Sequence, residues 1–392
     1  MPVKVLHIIT KLEFGGAQSN TLYTVSHLDK ALFDVKLAAG PGGLLDGKAP
    51  GDRVAFVPRL VRSISPINDI LAVLSLRKLI TAERPSIVHT HSSKAGITGR
   101  IAAFLAGTPV IVHTFHGFGF HERQAQLKKR LFILLERLCA LISDALVFVS
   151  RANMEYASRC AIGGPGERVL IRSGIPLTRY PAFPRRDPKA AAKRRELGVP
   201  EDAVLVVSIG NLKPQKNTGD FMAAAGRLSK AGKSSVFMLI GGGEQLDEAR
   251  SAAERAGLRK RLLLPGWRED SAEILASADI FALTSLWEGL PKSLVEALRS
   301  GLPSVCYRTD GVTDILRDGV NGYAVAPGDL DAFCGRLGEL INDPAAREAM
   351  SAGASATDLS EFDIDLMVRK QENLYLELLK KKDGRSRTAC PA

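Results

Sequence analysis

Short β-branched runs alternate with longer helical patterns along this chain, the grammar of βαβ units and parallel sheets. In the first half the pattern predicts strands over residues 3–9, 34–38, 87–89, 110–114, 145–149 and 169–171, with helices between them at 18–27, 69–83, 96–106 and 124–142. A basic, proline-containing stretch follows, from Pro176 through Tyr180-Pro181 to Asp187-Pro188, and reads as a linker. The alternation then restarts, with strands predicted over 204–209, 236–240, 262–264, 280–283 and 304–306. No repeat of fixed period accompanies it. The expected fold class is α/β, with two Rossmann-like doubly wound domains facing a central cleft, residues 1–180 and 201–362, joined by a linker at 181–200. A terminal helix over 363–379 is expected to pack back on the first domain, and the basic tail 380–392 to be disordered.

At 392 residues the chain is too long for one comfortable core, in keeping with two domains. Hydrophobic content of 45% and charged content of 24% are those of a soluble globular protein. No apolar run approaches the roughly 20 residues that span a bilayer, and the first residues read as a strand rather than a signal peptide. Cys139, Cys160, Cys306, Cys334 and Cys390 are scattered and lack CxxC spacing, which points to a reducing cytoplasm and away from a cysteine zinc site. The net charge of +11 implies an anionic partner: nucleic acid, anionic lipid or a phosphorylated substrate. Nucleic acid is disfavoured, because no zinc-finger, RRM or KH signature appears and aromatic content is 6%.

The chemistry concentrates at predicted strand ends. Phe14-Gly15-Gly16-Ala17 follows the first strand, Gly210-Asn211-Leu212-Lys213-Pro214-Gln215-Lys216 the first strand of the second half, and Gly241-Gly242-Gly243 the next. Glycine admits close approach of backbone to a ligand, and open α/β sheets bind ligands beyond the carboxyl ends of their strands. None of the three matches GxGxxG or the P-loop, and each alone would serve as a tight turn. Lys213 and Lys216 could neutralise a phosphate or simply be solvated. His89, His91, His113, His116 and His121 cluster, but no HExxH or third ligand is visible, so a metal is disfavoured and His116 before Gly117 is the candidate for a substrate contact. Residues 127–138 combine leucines with Lys128, Lys129, Arg130 and Arg137. The expectation is a helix packing its apolar face on the sheet, with contact to an anionic membrane left open.

Glu288-Gly289-Leu290-Pro291-Lys292-Ser293-Leu294-Val295-Glu296 is the most informative segment. Pro291 suits the first position of a helix that Gly301 would stop. Glu288 precedes that helix and Glu296 lies within it, about 7–8 Å further along the axis. Between them the helix start offers N–H groups and a positive dipole end to an anion. Two solvated glutamates beside an ordinary helix would produce the same string.

Together these segments resemble the retaining glycosyltransferases of family 4, which have the GT-B fold. The likeness covers nearly the whole chain and is strongest at the E-x7-E pattern of Glu288 and Glu296. Gly15 through Gln18, His116-Gly117, Gly210 through Lys216, Leu263 through Trp267 and Asp318 through Tyr323 support it. The resemblance implies an N-terminal acceptor domain and a C-terminal nucleotide-sugar domain. It implies that Glu288 contacts the donor sugar, Glu296 the ribose, and Lys216 with the N–H groups of Gly289 and Leu290 the diphosphate. Gly15 and Gly16 would close on the phosphates, His116 would sit near the reacting centre, and Leu264 through Arg268, with Gly266 and Trp267, would border the base. Pro291, Asn211 and Lys213 complete the expected donor set, and no metal or other cofactor is expected. The chain departs from the family at Asn211, where Arg is usual, at Ser173-Gly174-Ile175-Pro176, which lacks the usual Asn and Asp, and at Asp314, where Glu is common.

The expected function is transfer of a sugar from a nucleotide-sugar, a UDP-sugar by preference, to a saccharide or lipid-linked saccharide acceptor in cell-surface polysaccharide or lipopolysaccharide synthesis. The expected place is the cytoplasm, at the inner face of the membrane. A nucleotide-sugar epimerase and a non-catalytic two-lobed sugar- or nucleotide-binding protein remain the alternatives.

Overall fold

The computed structural model describes residues 1–121, 124–181, 187–230 and 234–388, with 385–388 as helical backbone only. The chain divides into two compact units, Met1–Gly174 with Ile364–Ala392, and Ile175–Asp363.

The first unit runs β1 (Val3–Lys11), α1 (Gly16–His27), β2 (Phe33–Gly40), β3 (Val54–Phe56), α2 (Pro66–Glu83), β4 (Ile87–His91), α3 (Ser93–Leu105), β5 (Val110–Phe115), α4 (Gln126–Leu141), β6 (Ala145–Phe148), α5 (Arg151–Arg159) and β7 (Glu167–Leu170). Its parallel sheet has the order β3-β2-β1-β4-β5-β6-β7, so the winding reverses between β1 and β4. The period of two in β1 assigns the faces: Leu6 and Ile8 join a core with Ala72, Leu76 and Ile80 of α2 and Ala102 of α3, whereas Val5 and Ile9 join one with Val25 of α1 and the terminal helix.

The second unit runs α6 (Pro188–Glu196), β8 (Val204–Ile209), α7 (Thr218–Leu228), β9 (Ser235–Ile240), α8 (Leu246–Arg255), β10 (Leu262–Gly266), α9 (Ser271–Ser277), β11 (Ile280–Leu283), α10 (Lys292–Arg299), β12 (Ser304–Tyr307), β13 (Gly322–Val325), α11 (Leu330–Asn342) and α12 (Pro344–Ser355). Its sheet has the order β10-β9-β8-β11-β12-β13, all parallel, and reverses between β8 and β11. Helix α13 (Ile364–Thr388) then returns to the first unit, where Met367, Val368, Leu374, Tyr375 and Leu378 are buried in its core.

Several expectations change. The first unit ends at Gly174, not at 180, and much of the expected linker 181–200 belongs to the second unit. Asp187 caps α6 by accepting from the Lys189 N–H at 2.8 Å, and Arg194 donates to Asp279 at 3.0 Å with both side chains buried. Residues 182–186 of that linker lie outside the described ones. The tail expected to be disordered continues α13 to Thr388, because Lys381 pairs with Glu167 and Lys382 with Asp144 at 2.7 Å; residues 389–392 lie outside the described ones. Pro291 is the cap of α10 rather than its first residue, with ψ of 94°, and Ser300 followed by Gly301 at φ +74° ends that helix.

Helix α4 is the largest departure. Leu127, Leu131, Leu134, Leu138 and Leu141 are each more than half exposed rather than packed on the sheet. The inward face carries Phe132 and Ile133, which pack on the core as expected, with Glu136, Cys139 and Ala140, and Glu136 forms a buried ion pair with Arg100 of α3.

Candidate functional site

The switch between β8 and β11 gathers the charged residues of the second unit. The loop after β8 forms a single 3-10 turn, Pro214–Lys216, and ends in Asn217 at φ +47°. It is laced to the loop after β11: the Leu286 N–H donates to the Gln215 carbonyl at 2.9 Å, and Gln215 Nε2 to the Trp287 carbonyl at 2.8 Å. The Thr284 hydroxyl donates to the carbonyls of Lys216 and Asn217 at 3.0 and 3.1 Å. These bonds place the Lys216 ammonium against the Glu288 carboxylate in a direct ion pair, with Glu288 only 8% exposed. Such a pair loses most of its stabilisation if either member is removed, because the survivor is left poorly solvated.

Neighbouring loops brace this pair. Leu212, fully buried, anchors the loop after β8 and donates its N–H to the Gly242 carbonyl at 2.9 Å. A Cβ on Gly241 would lie 1.8 Å from the Gly210 carbonyl oxygen, so these two backbones approach as only glycine allows. Asn211 and Lys213 share the Lys216 loop, and Lys213 precedes its 3-10 turn. The loop after β12 packs Gly311 on the backbone of Gly289 and Leu290. Among the described residues the buried hydroxyls of Ser285 and Thr309 have no hydrogen-bond partner, which is unusual for buried polar atoms and suits a ligand.

Glu296 lies one turn along α10 from Lys292, so the two side chains share a face. Burial holds the Glu296 carboxyl above its ordinary range, countered by Lys292, by a hydrogen bond from the Tyr180 hydroxyl and by Arg179. The same burial pulls Lys292 down to about 8, with Glu296 acting against the shift. Lys292 and Tyr180 were not among the expected site residues, although the i, i+4 spacing to Glu296 pointed to the lysine. Trp267 follows Gly266 at the end of β10 and sits over Gly242. Arg268 instead binds Asp270 through Nε at 2.7 Å and Glu196 through Nη2 at 2.9 Å, tying β10 to α6 and α9.

The first unit holds the other expected residues. Gly15 caps α1, whose first turn has no acidic side chain, directly beyond β1. His116 follows β5, half-buried. It belongs to a cluster whose key member, His7, lies about 80 residues earlier in the chain than the other histidines noted from sequence. Strand register sets His7 opposite His89, and Ile9 opposite His91. His7 Nδ1 lies 2.9 Å from His91 Nε2, and His91 Nδ1 lies 3.1 Å from His116 Nε2. His89 Nδ1 lies 2.5 Å from the Tyr375 hydroxyl and its Nε2 lies 2.7 Å from the Thr114 hydroxyl. Burial lowers His7 to about 3 and holds His89, His91 and His113 well below the usual imidazole range. His113 faces the opposite side of the sheet, against Gly96 and the Thr90 hydroxyl. Nitrogens of His7, His89 and His91 lie within 4.8 Å of one another, a grouping that could hold a metal ion and that the sequence did not reveal.

Two family models match the chain: "Glycosyl transferase 4-like domain" over residues 15–174 and "Glycosyl transferases group 1" over residues 189–357. The Escherichia coli UDP-Gal:alpha-D-GlcNAc-diphosphoundecaprenol alpha-1,3-galactosyltransferase is 33% identical over 96% of this chain and 97% of its own length. The chain belongs to the glycosyltransferase 4-like family. It is a glycosyltransferase, and the epimerase and non-catalytic readings find no support. The Staphylococcus aureus capsular polysaccharide biosynthesis glycosyltransferase CapM is 22% identical over 92% of this chain and 94% of its own. The fold is that of the Anabaena HepE crystal structure in complex with UDP and glucose, at a TM-score of 0.80 and 19% identity over 96% of this chain and all of that one. It is also that of the lipopolysaccharide outer core galactosyltransferase WaaB in its apo form, at a TM-score of 0.68 and 17% identity over 96% of this chain and 99% of that one.

Proposed function

We propose that this glycosyltransferase moves a hexose from a UDP-sugar onto a sugar carried by a lipid diphosphate, with retention and without a metal. The observation that carries the reading is the Lys216–Glu288 pair at the β8/β11 switch, beside the start of α10. A diphosphate arriving there draws Lys216 away and frees Glu288 to accept hydrogen bonds from sugar hydroxyls. As the glycosidic bond breaks, negative charge grows on the leaving phosphate, and Lys216 with the N–H groups of Gly289 and Leu290 stabilises it. Glu296 accepts from the ribose hydroxyls, and Trp267 borders the base. Lys216 and these N–H groups take the place that a metal would fill. His116, in the first unit, is the proposed substrate contact of that unit.

The E. coli relative's name supports the uridine donor and the lipid-diphosphate acceptor. Helix α4 supports a membrane-borne acceptor. Its exposed leucines alternate with Lys128, Lys129, Arg130 and Arg137, and such a surface suits an anionic bilayer. Among the described residues no helix is long and apolar enough to cross a membrane.

The test is a panel of nucleotide-sugars incubated with a synthetic GlcNAc-diphospho-lipid and excess EDTA, scored for released nucleoside diphosphate and for the anomeric configuration of the product. UDP-galactose is the first donor to try. Release of a different nucleotide, an inverted product or complete loss of turnover in EDTA each removes the corresponding part of the reading. For the membrane, flotation with phosphatidylglycerol vesicles is expected and should weaken with salt. The triple variant Leu131→Glu, Leu134→Glu, Leu138→Glu should stay unbound while transferring normally to a water-soluble acceptor. Retained flotation of that variant would dismiss α4 as the docking face.

A further inference from the structure

The buried histidines of the first unit make an unbroken series of hydrogen bonds: His116 to His91, His91 to His7, His7 to Tyr375 at 3.4 Å, Tyr375 to His89, and His89 to Thr114. His7, His89, His91 and Tyr375 are at most 2% exposed. Burial disfavours the charged form of each, so every buried ring carries one N–H and one acceptor nitrogen, and Tyr375 keeps its proton. A series of this kind has only two internally consistent polarities, because reversing one bond reverses all the others.

The distances select one of them. Tyr375 has a single proton to donate, and its oxygen lies 2.5 Å from His89 Nδ1 but 3.4 Å from His7 Nε2. An O–H donated to nitrogen belongs on the short contact. His89 therefore accepts at Nδ1, carries its proton on Nε2 and donates to Thr114. On the other side His7 must donate from Nε2 to the tyrosine oxygen, which makes its Nδ1 an acceptor. His91 then donates from Nε2 to His7 and accepts at Nδ1 from His116 Nε2–H.

We propose that His91, His7 and Tyr375 are positioning residues that hold His116 in its Nε2–H tautomer, leaving Nδ1 as the acceptor nitrogen of that ring. The control originates in α13, some 260 residues further along the chain, because Tyr375 sets the polarity. A small cavity lined by Asn20, Thr24, His91, Thr114, His116 and Gln371 borders the series within the same unit. A group entering it meets a ring whose acceptor side is already decided.

The kinetic part of this inference rests on the glycosyltransferase reading, whereas the tautomer does not, so the two can fail separately. Long-range proton–nitrogen spectra of the full chain labelled with nitrogen-15 histidine should show His7, His89, His91 and His116 all as Nε2–H at neutral pH. Tyr375→Phe keeps the ring and removes the proton. It should turn His116 into a tautomer mixture and lower kcat about tenfold with an unchanged donor KM, at a wild-type circular dichroism spectrum. Thr114→Val, at the other end of the series, serves if Tyr375→Phe does not fold: Tyr375 still donates to His89, so His116 should stay Nε2–H, and a changed His116 tautomer there would overturn the control by Tyr375. An Nδ1–H form of His116 in the wild type, or an unchanged Nε2–H form in a folded Tyr375→Phe protein, overturns the proposal. Stoichiometric zinc held by His7, His89 and His91 in the purified protein, with spectra that change on its removal, also overturns it.

Discussion

At the β8/β11 switch the second unit holds a lysine against a glutamate, whereas at the equivalent β1/β4 switch the first unit holds three neutral histidines. Both sheets are parallel and doubly wound, and both leave a crevice where the strand order reverses. Winding therefore decides where a ligand can approach and leaves open what chemistry it meets. A charge-paired crevice is suited to exchange one ion for another, as an incoming phosphate requires. A crevice of uncharged rings cannot do that, but it can fix the direction of hydrogen bonds at no cost in buried charge.

The largest expected effect that sharpens this contrast is on turnover. Glu288→Ala should lower kcat by about 10²–10³-fold and Lys216→Ala by about 10²-fold, on the scale of a lost electrostatic contact in the transition state. Steady-state kinetics with a saturating acceptor would check it, and wild-type rates in both variants would remove the charged crevice from the reaction.

Acid should then separate the two units. His7, His89, His91 and His113 have folded pKa values below 6.5. As pH falls through 6.5 the unfolded chain takes up protons that the native first unit refuses, so stability is lost downward from there. Each such histidine costs about 1.4 kcal/mol per pH unit below that point. Hydrogen-exchange protection factors in β1, β4 and β5 should fall between pH 7 and 5 well before those in β8 and β11. Both tryptophans, Trp267 and Trp287, lie in the second unit, so their fluorescence should lag behind the change in exchange. Simultaneous loss of both units would break the comparison.

A smaller effect concerns Lys292. With its ammonium pulled down to about 8, it loses charge as pH rises through 8 rather than near 10.5. Donor KM should rise several-fold between pH 7 and 9, and Lys292→Met should abolish that inflection while its KM at pH 7 already matches the high-pH value. A flat profile in the wild type would place Lys292 outside the donor's field. Stability runs the other way: the unfolded lysine keeps its proton to a higher pH, so the native unit gains stability between about 8 and 10.5.

Much of this was legible in the chain itself, for reasons that also show where legibility stops. The alternation in Val5-Leu6-His7-Ile8-Ile9 and the apolar run at 204–209 identify buried parallel strands because burial is what those patterns encode. The edge strands β3 and β13 were missed because segments of three or four residues leave little pattern. Glu288 and Glu296 were readable because they flank one helix start. His7 was not, since only the register of β1 against β4 brings it to His89. The leucines of α4 were read as core because an apolar stripe records that a face is apolar, and says nothing of whether protein or something else covers it. Arg268 looked like part of a base pocket until Glu196 and Asp270 appeared beside it, the former from a segment read as linker.

Helix α13 carries a consequence for the order of events at the ribosome. The second unit has all of its residues once the chain reaches Asp363, whereas the first lacks Met367, Val368, Leu374, Tyr375 and Leu378 until later still. The half of the sequence made first is thus finished last. At about 5–20 residues per second, β1 emerges tens of seconds before the helix that covers it. During that interval Val5, Ile9 and Val35 lack the terminal helix that completes their core, and a nascent chain stalled just after Asp363 holds every residue of the second unit but an uncovered face of the first sheet.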